Sequence, residues 1–220
     1  MQRHTSNADH DRLAKTLTSG SGQIGVQLTE SNVQQLMAYL LLLDKWNKAY
    51  NLTSIRQIDD MLPLHVLDSL IVHPRIQGAK RLIDVGTGPG LPGLILAIMN
   101  PDLPITLLDS NGKKTRFLFQ ACTALKLDNV TIVNDRVEAY RPDELFDMIV
   151  SRAFASLLDM TSWCRHLLAD DGCFLAMKGQ YPEAELAVIA ADYRLTLAES
   201  VHVPGVDGER HLLNIVPAGH

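Results

Sequence analysis

The chain has 220 residues, of which 46% are hydrophobic and 20% are charged, and its formal net charge at pH 7 is −5. This composition is typical of a globular protein with one large domain. The negative charge argues against binding nucleic acid through a broad positive surface, so any such contact must depend on particular residues. Neither an export signal nor an apolar run of the ~20 residues that a membrane span needs is evident, and we expect a cytoplasmic protein without membrane contact.

The three cysteines, Cys122, Cys164 and Cys173, form no Cys-x-x-Cys pair and lie in apolar stretches. Disulfide scaffolds and zinc knuckles need cysteines at paired spacings, so we expect structural thiols in a reducing compartment. No metal site is expected.

The first third of the chain divides into a tail and a helical cap. Residues 1–27 are rich in polar residues and show no apolar period, which predicts a mobile tail that contributes nothing to the chemistry. Residues 28–75 are predicted to form a helical cap. Ser31 with Gln34 matches a capping box at its start, and apolar side chains then follow at helical spacing.

Residues 76–220 alternate short apolar strands with helices, which predicts an α/β domain with a mostly parallel sheet covered on both faces. We expect this domain and the cap to pack as one unit. The predicted strands lie at 81–85, 105–108, 130–133, 148–150 and 173–177, with two more near 195–203 and 211–216, and the predicted helices include 91–99 and 112–127.

The first of these strands runs into a turn that contains Gly86, Gly88 and Gly90. Open α/β sheets bind cofactors at this position, where glycine lets the backbone approach a ligand. A dinucleotide fingerprint would need glycine or alanine at position 91, which is Leu91 here. The closer glycine spacing resembles that of S-adenosylmethionine-dependent methyltransferases. Asp84, just before the turn, is placed to complement the amine and sulfonium of that cofactor through solvent or the backbone.

Two further elements fit the same cofactor. Asp109 ends the second strand, 25 residues after Asp84, where a carboxylate accepts hydrogen bonds from a ribose diol. Val137 and Glu138 follow the third strand, where this fold places a loop beside an adenine. A charged surface turn would give the same pattern at these two residues.

Seven segments carry a more specific resemblance: Leu43–Ser54, His65–Ser69, Asp84–Gly93, Leu107–Ser110, Ser151–Ala155, Met177–Gly179 and Asp207–His211. In this order, over about residues 28–216, they resemble the bacterial family of small-subunit ribosomal RNA guanine-N7 methyltransferases, also called glucose-inhibited division protein B. The resemblance implies a class I S-adenosylmethionine-dependent methyltransferase fold. This fold is Rossmann-like, with a seven-stranded, mostly parallel sheet and here an N-terminal helical extension.

The resemblance also implies a substrate and a set of cofactor contacts. The substrate is a guanine in the 530 loop of 16S rRNA, guanine 527 in the family's usual numbering, presented on the small ribosomal subunit or its precursor. An oligomer is not implied, and we expect a monomer. The implied contacts with S-adenosylmethionine are Gly86, Gly88, Leu91, Asp109, Val137, Glu138 and Arg152.

Methylation of guanine N7 needs no general base, because the N7 lone pair is free at neutral pH. The chain accordingly has no Asp/Asn-Pro-Pro-Tyr segment of the kind that serves exocyclic amines. It also lacks the cysteine that a cytosine-carbon methylase would need at the end of the fourth strand, where Ser151 and Arg152 stand. We expect Arg152 to orient the cofactor, a phosphate or the guanine. A purely structural ion pair is the alternative.

Three residues are candidates for contact with RNA. Lys178 ends a strand on the same rim and could bind a phosphate, whereas a solvated lysine is the alternative. His65 is a weaker candidate, because helix-packing histidines are common. Lys113 begins a helix together with Lys114 and Arg116, where cations oppose the helix dipole, and this hints at an anionic partner.

The residues alone leave three other classes of protein open. A methyltransferase of small molecules or proteins would need a closed apolar pocket in place of a basic rim. A nicotinamide-dependent oxidoreductase is disfavoured by Leu91. A non-catalytic module that binds the cofactor or RNA is the third. Comparing the binding of S-adenosylmethionine with that of NAD separates the oxidoreductase from the rest.

Overall fold

The computed structural model describes residues 7–152, 154 and 156–219. The α-helices are α1 (Asn7–Gln23), α2 (Glu30–Tyr50), α3 (Ile58–Met61), α4 (Asp68–Leu70), α5 (Gly93–Met99), α6 (Gly112–Leu125), α7 (Leu157–Cys164) and α8 (Glu183–Ile189). A π-helical segment at Leu62–Leu67 joins α3 to α4, and 3₁₀ turns lie at His73–Arg75 and Arg165–Leu167. The strands are β1 (Leu82–Val85), β2 (Ile105–Leu108), β3 (Val130–Val133), β4 (Phe146–Ser151), β5 (Leu168–Lys178), β6 (Tyr193–His202) and β7 (Glu209–Pro217).

The seven strands form one sheet in the order β3-β2-β1-β4-β5-β7-β6. Strands β1 to β5 run parallel, and β7 pairs antiparallel with both β5 and β6. Every residue of β1 and β2 is buried, because helices pack on both faces of the sheet. The predicted α/β architecture is confirmed, and β5 begins five residues before the predicted strand at 173.

Helix α2 packs against the α/β part of the chain through an apolar face that includes Leu36, Leu40 and Leu43. Its N-terminus is a capping box formed by Thr29 and Asn32, in which each side chain accepts a hydrogen bond from the other residue's backbone amide at 3.1 Å. The predicted box at Ser31 and Gln34 is therefore wrong by two residues. Both pairs have the spacing of a capping box, and the helix begins at the earlier one.

The structure differs from the expectation of a mobile tail over residues 1–27. Residues 1–6 lie outside the described part of the chain, but α1 begins at Asn7 and is helical for 17 residues. Leu13 and Leu17 are each 1% exposed and pack into the core of the cap. These two leucines lie one turn apart on a helix that is otherwise polar, so the apolar stripe was too narrow to stand out in the sequence.

None of the helices within residues 7–152 and 156–219 is long and apolar enough to cross a membrane. The three thiols are free: Cys164 is buried, and Cys122 and Cys173 are partly buried. Burial raises the pKa of Cys122 and Cys173 to about 11 and that of Cys164 to about 12. Thiols with raised pKa values are poor nucleophiles at neutral pH.

Candidate functional site

A cavity of about 450 Å³ opens at the carboxyl ends of β1, β2 and β3. In this sheet β1 is flanked by β2 on one side and β4 on the other, so the strand order reverses at β1. Open α/β sheets bind ligands at such a reversal, and the volume is in the range of small-molecule sites. The described residues that line the cavity are Val85, Gly86, Leu108, Asp109, Ser110, Lys114, Asp135, Arg136, Val137, Glu138, Phe154, Asp159 and Trp163.

The glycine turn forms the wall of the cavity at the end of β1. Gly86, Gly88 and Gly90 have φ values of 71°, 60° and 99°, which side chains other than glycine rarely adopt. The backbone amide of Gly86 donates to the Leu108 carbonyl at 2.9 Å. At Gly90 a Cβ atom would stand 2.6 Å from the Cβ of Leu94. Only glycine therefore allows the chain to turn this tightly from strand to helix.

Asp84 organises this turn from beneath and does not line the cavity. Its side chain is fully buried, and Oδ2 accepts hydrogen bonds from Thr87 Oγ1 at 2.6 Å and from the Gly93 amide at 2.7 Å. Desolvation raises the pKa of Asp84 to about 6, although these two hydrogen bonds oppose the rise. Asp84 therefore does not contact the cofactor's amine directly. Any effect of Asp84 on the cofactor acts through the backbone of the turn.

Asp109 lies on the cavity wall at the end of β2. Its Oδ2 accepts a hydrogen bond from the Gly88 amide at 2.8 Å, and its Oδ1 accepts one from the Asn111 amide at 2.8 Å. Each carboxylate oxygen has a second lone pair, so the group has capacity for further donors such as ribose hydroxyls. Lys114 Nζ stands 3.8 Å from Oδ2 and keeps the carboxylate in a positive environment.

Apolar side chains also line the cavity. Val137 and Glu138, which follow β3, are among the residues that line the cavity. Phe154 and Trp163 complete it with an edge-to-face ring pair whose centroids are 5.9 Å apart. Ala153 and Ala155, which belong to the same sequence segment as Phe154, lie outside the described residues. Apolar side chains beside a carboxylate suit an adenine joined to a ribose.

Three of the predicted cofactor residues are not among the described residues that line the cavity. The amide of Gly88 is engaged by Asp109, so this glycine shapes the wall from behind. The Leu91 side chain is 2% exposed and belongs to the apolar core. Arg152 points toward the helical cap, where its Nη1 donates to Asp68 Oδ2 at 3.0 Å and to the Leu64 carbonyl at 3.1 Å.

Asp68 joins Arg152 to a second arginine. Its other oxygen, Oδ1, accepts a hydrogen bond from Arg210 Nε at 2.7 Å, and the Asp68 side chain is only 4% exposed. Arg152 and Arg210 retain 27% and 23% of their side-chain exposure. Two guanidinium groups thus share one carboxylate at the carboxyl end of β4 and the start of β7. The ion pair that the sequence left as an alternative for Arg152 is present.

His65 is buried beside this cluster. Its Nδ1 lies 3.0 Å from the Leu64 carbonyl, which only accepts, so Nδ1 carries the proton and Nε2 accepts from Thr53 Oγ1 at 2.9 Å. Desolvation, with a smaller contribution from Arg152, lowers the pKa of His65 to about 4. The imidazole is therefore neutral at pH 7, and at 5% exposure it is a poor candidate for direct contact with RNA.

The two lysines predicted to contact RNA differ in their surroundings. Lys178 is largely buried, and its Nζ donates to both carboxylate oxygens of Glu185 at 2.8 and 3.1 Å. Lys113 is exposed at the first turn of α6. Its neighbour Lys114 turns inward and lines the cavity.

Sequence reasoning missed several residues that line the cavity, namely Ser110, Lys114, Asp135, Arg136, Phe154, Asp159 and Trp163. Those that directly follow β2 and β3 share a signal with Asp109 and Val137, because every residue just past a parallel strand reaches the same edge. The α7 residues carry no such signal. They reach the cavity because α7 packs against β5 and α8, which the sequence pattern does not specify.

Residues 32–213 match the model of the family described as rRNA small subunit methyltransferase G. Curated relatives named ribosomal RNA small subunit methyltransferase G are similar over most of the chain. The relative from Aeromonas salmonicida is 56% identical over 191 residues, which is 87% of this chain and 91% of that protein. The relative from Shewanella amazonensis is 51% identical over 206 residues, 94% of this chain and 100% of that protein.

Solved structures with low sequence identity share the fold. A glycopeptide N-methyltransferase crystallised with S-adenosylmethionine superposes with a TM-score of 0.58 at 11% identity and covers 69% of this chain and 94% of its own. A ribosomal protein L11 methylase from Lactobacillus delbrueckii gives a TM-score of 0.54 at 17% identity, with 73% and 79% coverage. The chain therefore has the class I methyltransferase fold, and it belongs to the rRNA small subunit methyltransferase G family as an enzyme that uses S-adenosylmethionine.

Proposed function

We propose that the enzyme transfers the methyl group of S-adenosylmethionine to N7 of guanine 527 in the 530 loop of 16S rRNA. Family membership over residues 32–213 carries this proposal, because it makes small-subunit rRNA the substrate. The position within the rRNA and the N7 atom come from the resemblance of the seven sequence segments. We further propose that the enzyme works in the cytoplasm as a monomer, on the small ribosomal subunit or its precursor.

The cavity supplies a cofactor site of suitable size and chemistry. We assign the ribose hydroxyls to Asp109 and the adenine to the part of the cavity lined by Val137 and Phe154. Gly86 carries no side chain, so the backbone at the end of β1 can approach the ligand closely. When bound, S-adenosylmethionine supplies a methyl group on a sulfonium, which a nucleophile displaces.

The residues around the cavity favour a reaction driven by positioning. The three thiols have raised pKa values and His65 is buried and neutral, so none of them is suited to act as a nucleophile or base near the cavity. Guanine N7 needs neither, because its lone pair is already free. Holding the two reactants in line can supply much of the rate.

We assign an orienting role to Arg152. Methylation at N7 leaves a positive charge on the guanine, so a nearby cation does not stabilise the product. The guanidinium is held through Nη1 by Asp68 and the Leu64 carbonyl, and the side chain is 27% exposed. We assign its other N–H groups to the methionine carboxylate, a phosphate or the guanine O6. This arrangement suits the planar arginine group better than a point charge.

Arg152→Lys and Arg152→Ala test this role. Both should lower turnover on small-subunit particles by about 100-fold or more, because lysine keeps the charge but loses the planar fork. Arg81→Lys is the matched control, since Arg81 pairs with Glu144 at the amino end of β1, away from the cavity. Near-normal turnover of Arg152→Lys would show that the planar guanidinium is not needed and that Arg152 contributes only its charge.

The overall function is tested by mapping N7-methylated guanines in 16S rRNA from cells with and without the protein. One modified guanine in the 530 loop should disappear in its absence and return when the gene is restored. Loss of a modification elsewhere in 16S rRNA would support the enzyme class but would overturn the proposed position in the 530 loop. An unchanged map would overturn the proposed substrate.

A further inference from the structure

The glycine turn is held from several directions, and one of its contacts comes from outside the α/β domain. Asp84, Leu108 and Asp109 bind the turn from β1, β2 and the residue that follows β2. A further contact comes from helix α2, where Tyr39 Oη donates to the Pro89 carbonyl at 2.9 Å. Fifty residues of sequence separate this donor from its acceptor.

The Tyr39 hydroxyl is a rigid donor. The residue is 0% exposed, and its ring packs against Phe117 of α6 with the centroids 6.2 Å apart. Burial raises the pKa of Tyr39 above its ordinary value, so the hydroxyl is protonated at neutral pH and can donate. A buried tyrosine hydroxyl without a partner would be costly, and the Pro89 carbonyl satisfies it.

Pro89 is the point in the turn where such a contact matters most. Proline has no amide proton, so its carbonyl is the only backbone group through which it can be tied down. It stands between Gly88 and Gly90, both in the left-handed region of φ and both with little intrinsic conformational restraint. The Gly88 amide in turn donates to Asp109 on the cavity wall. A displacement of Pro89 therefore also moves Gly88, and Gly88 is bonded to Asp109, the proposed ribose acceptor.

We propose that Tyr39 is a positioning residue for S-adenosylmethionine, holding the glycine turn in its binding conformation from the helical cap. The proposal rests on the assignment of the cavity to this cofactor. Without the hydrogen bond, the segment from Gly88 to Gly90 samples other conformations, and binding must select the competent one. The cap is then part of the cofactor site although it does not line it.

Tyr39→Phe is the direct test, because it removes the hydroxyl and keeps the ring. The dissociation constant for S-adenosylmethionine, measured by calorimetry on the full chain, should rise about tenfold. Hydrogen exchange should become faster at the Gly90 and Leu91 amides, which donate to the Thr87 carbonyl within the turn. Exchange in the strands of the sheet should stay the same.

Two controls separate positioning from general loss of stability. Leu43→Val removes a methylene from a fully buried side chain one turn further along α2, and should lower the unfolding temperature without changing the dissociation constant. Tyr50→Phe alters a half-exposed tyrosine at the end of the same helix, and should change neither quantity. Equal losses of affinity in Tyr39→Phe and Leu43→Val would overturn the proposal.

The same titrations distinguish this inference from the cofactor assignment. If the wild-type chain fails to bind S-adenosylmethionine, the assignment of the cavity to this cofactor is wrong, and so is the proposal for Tyr39. If the wild type binds and Tyr39→Phe binds equally well, the inference about Tyr39 alone is wrong. Neither result depends on the identity of the RNA substrate.

Discussion

At the scale of single residues, Asp84 and Asp109 are two buried carboxylates at neighbouring strands that have different roles. Asp84 is buried beneath the glycine turn and accepts hydrogen bonds from Thr87 and from Gly93 at the start of α5. Asp109 lies on the cavity wall, and its carboxylate oxygens have lone pairs that can accept further hydrogen bonds. The difference arises because Asp84 is the third residue of β1 and points into the helix layer, while Asp109 follows the last residue of β2. Only the second can contact a ligand directly.

Asp109→Ala should weaken the binding of S-adenosylmethionine by about 1–3 kcal/mol, the usual cost of removing a charged hydrogen-bond acceptor. An analogue without the ribose hydroxyls should bind the variant and the wild type with nearly equal affinity, because the contact that distinguishes them is gone. Asp102→Ala, an exposed acid before β2, is the control and should change nothing. A loss below about 0.3 kcal/mol in Asp109→Ala would limit Asp109 to a structural role.

His65 should make stability depend on pH. Its folded pKa of about 4 lies below the ordinary value of 6.5, so between these values the unfolded chain binds more protons than the folded one. Stability is therefore complete above pH 6.5 and falls as the pH drops toward 4. Between pH 7 and pH 5 this single group should cost about 2 kcal/mol.

Urea unfolding of the wild type and of His65→Gln at pH 7 and pH 5 measures this cost. The wild type should lose about 2 kcal/mol more than the variant over this interval. Asp84, with its raised pKa, works in the opposite direction over part of the same range, but it is present in both proteins and cancels in the comparison. Parallel pH profiles for the two proteins would show that His65 titrates normally.

At the scale of elements, α1 is part of the folded core. Leu17→Ala should lower the free energy of unfolding by about 2–4 kcal/mol, because it removes a side chain that is 1% exposed. Lys15→Ala, on the exposed side of the same helix, should have an effect within about 0.5 kcal/mol. Denaturant titrations measure both, and equal stability of the two variants would mean that α1 does not pack as described.

The elements that the sequence predicts well are those whose pattern is local. The strands β1, β2 and β3 lie within one residue of their predicted positions, because each is a short apolar run bounded by turn residues. Helix α1 could not be predicted in this way, since its stability comes from contacts of Leu13, Leu17 and Gly20 with the rest of the cap, such as that between Gly20 and Leu67.

In the candidate site, too, the residues that follow a local pattern are predictable and those that depend on long-range contacts are not. Gly86, Asp109, Val137 and Glu138 are predictable, because their place at the end of a strand brings them to one edge of the sheet. The partner of Arg152 is not, since Asp68 is 84 residues away in the sequence and no spacing rule links them. Long-range side-chain pairs depend on how the cap docks, and that is a property of the whole fold.

At the scale of the whole molecule, the balance of charge limits how the enzyme can engage RNA. Twenty lysines and arginines face 25 aspartates and glutamates. Several of the cations are already paired with acids, including Arg152 with Asp68, Lys178 with Glu185 and Arg75 with Glu199. A surface of this kind neutralises few phosphates, so we expect recognition to depend on the shape of a folded particle and on bases that it presents unstacked.

We therefore expect weak binding to arbitrary RNA, with a shallow dependence on salt. If about three phosphates of a duplex are neutralised, the slope of log K against log salt should be about −3. Fluorescence anisotropy with a random duplex from ~50 to ~200 mM salt measures this slope, and methylation of small-subunit particles over the same range provides the functional comparison. Activity on the particles should persist where affinity for the duplex has become negligible. Tight binding to arbitrary duplex RNA with a steep slope would contradict this expectation, because a chain with a net charge of −5 is not expected to neutralise many phosphates.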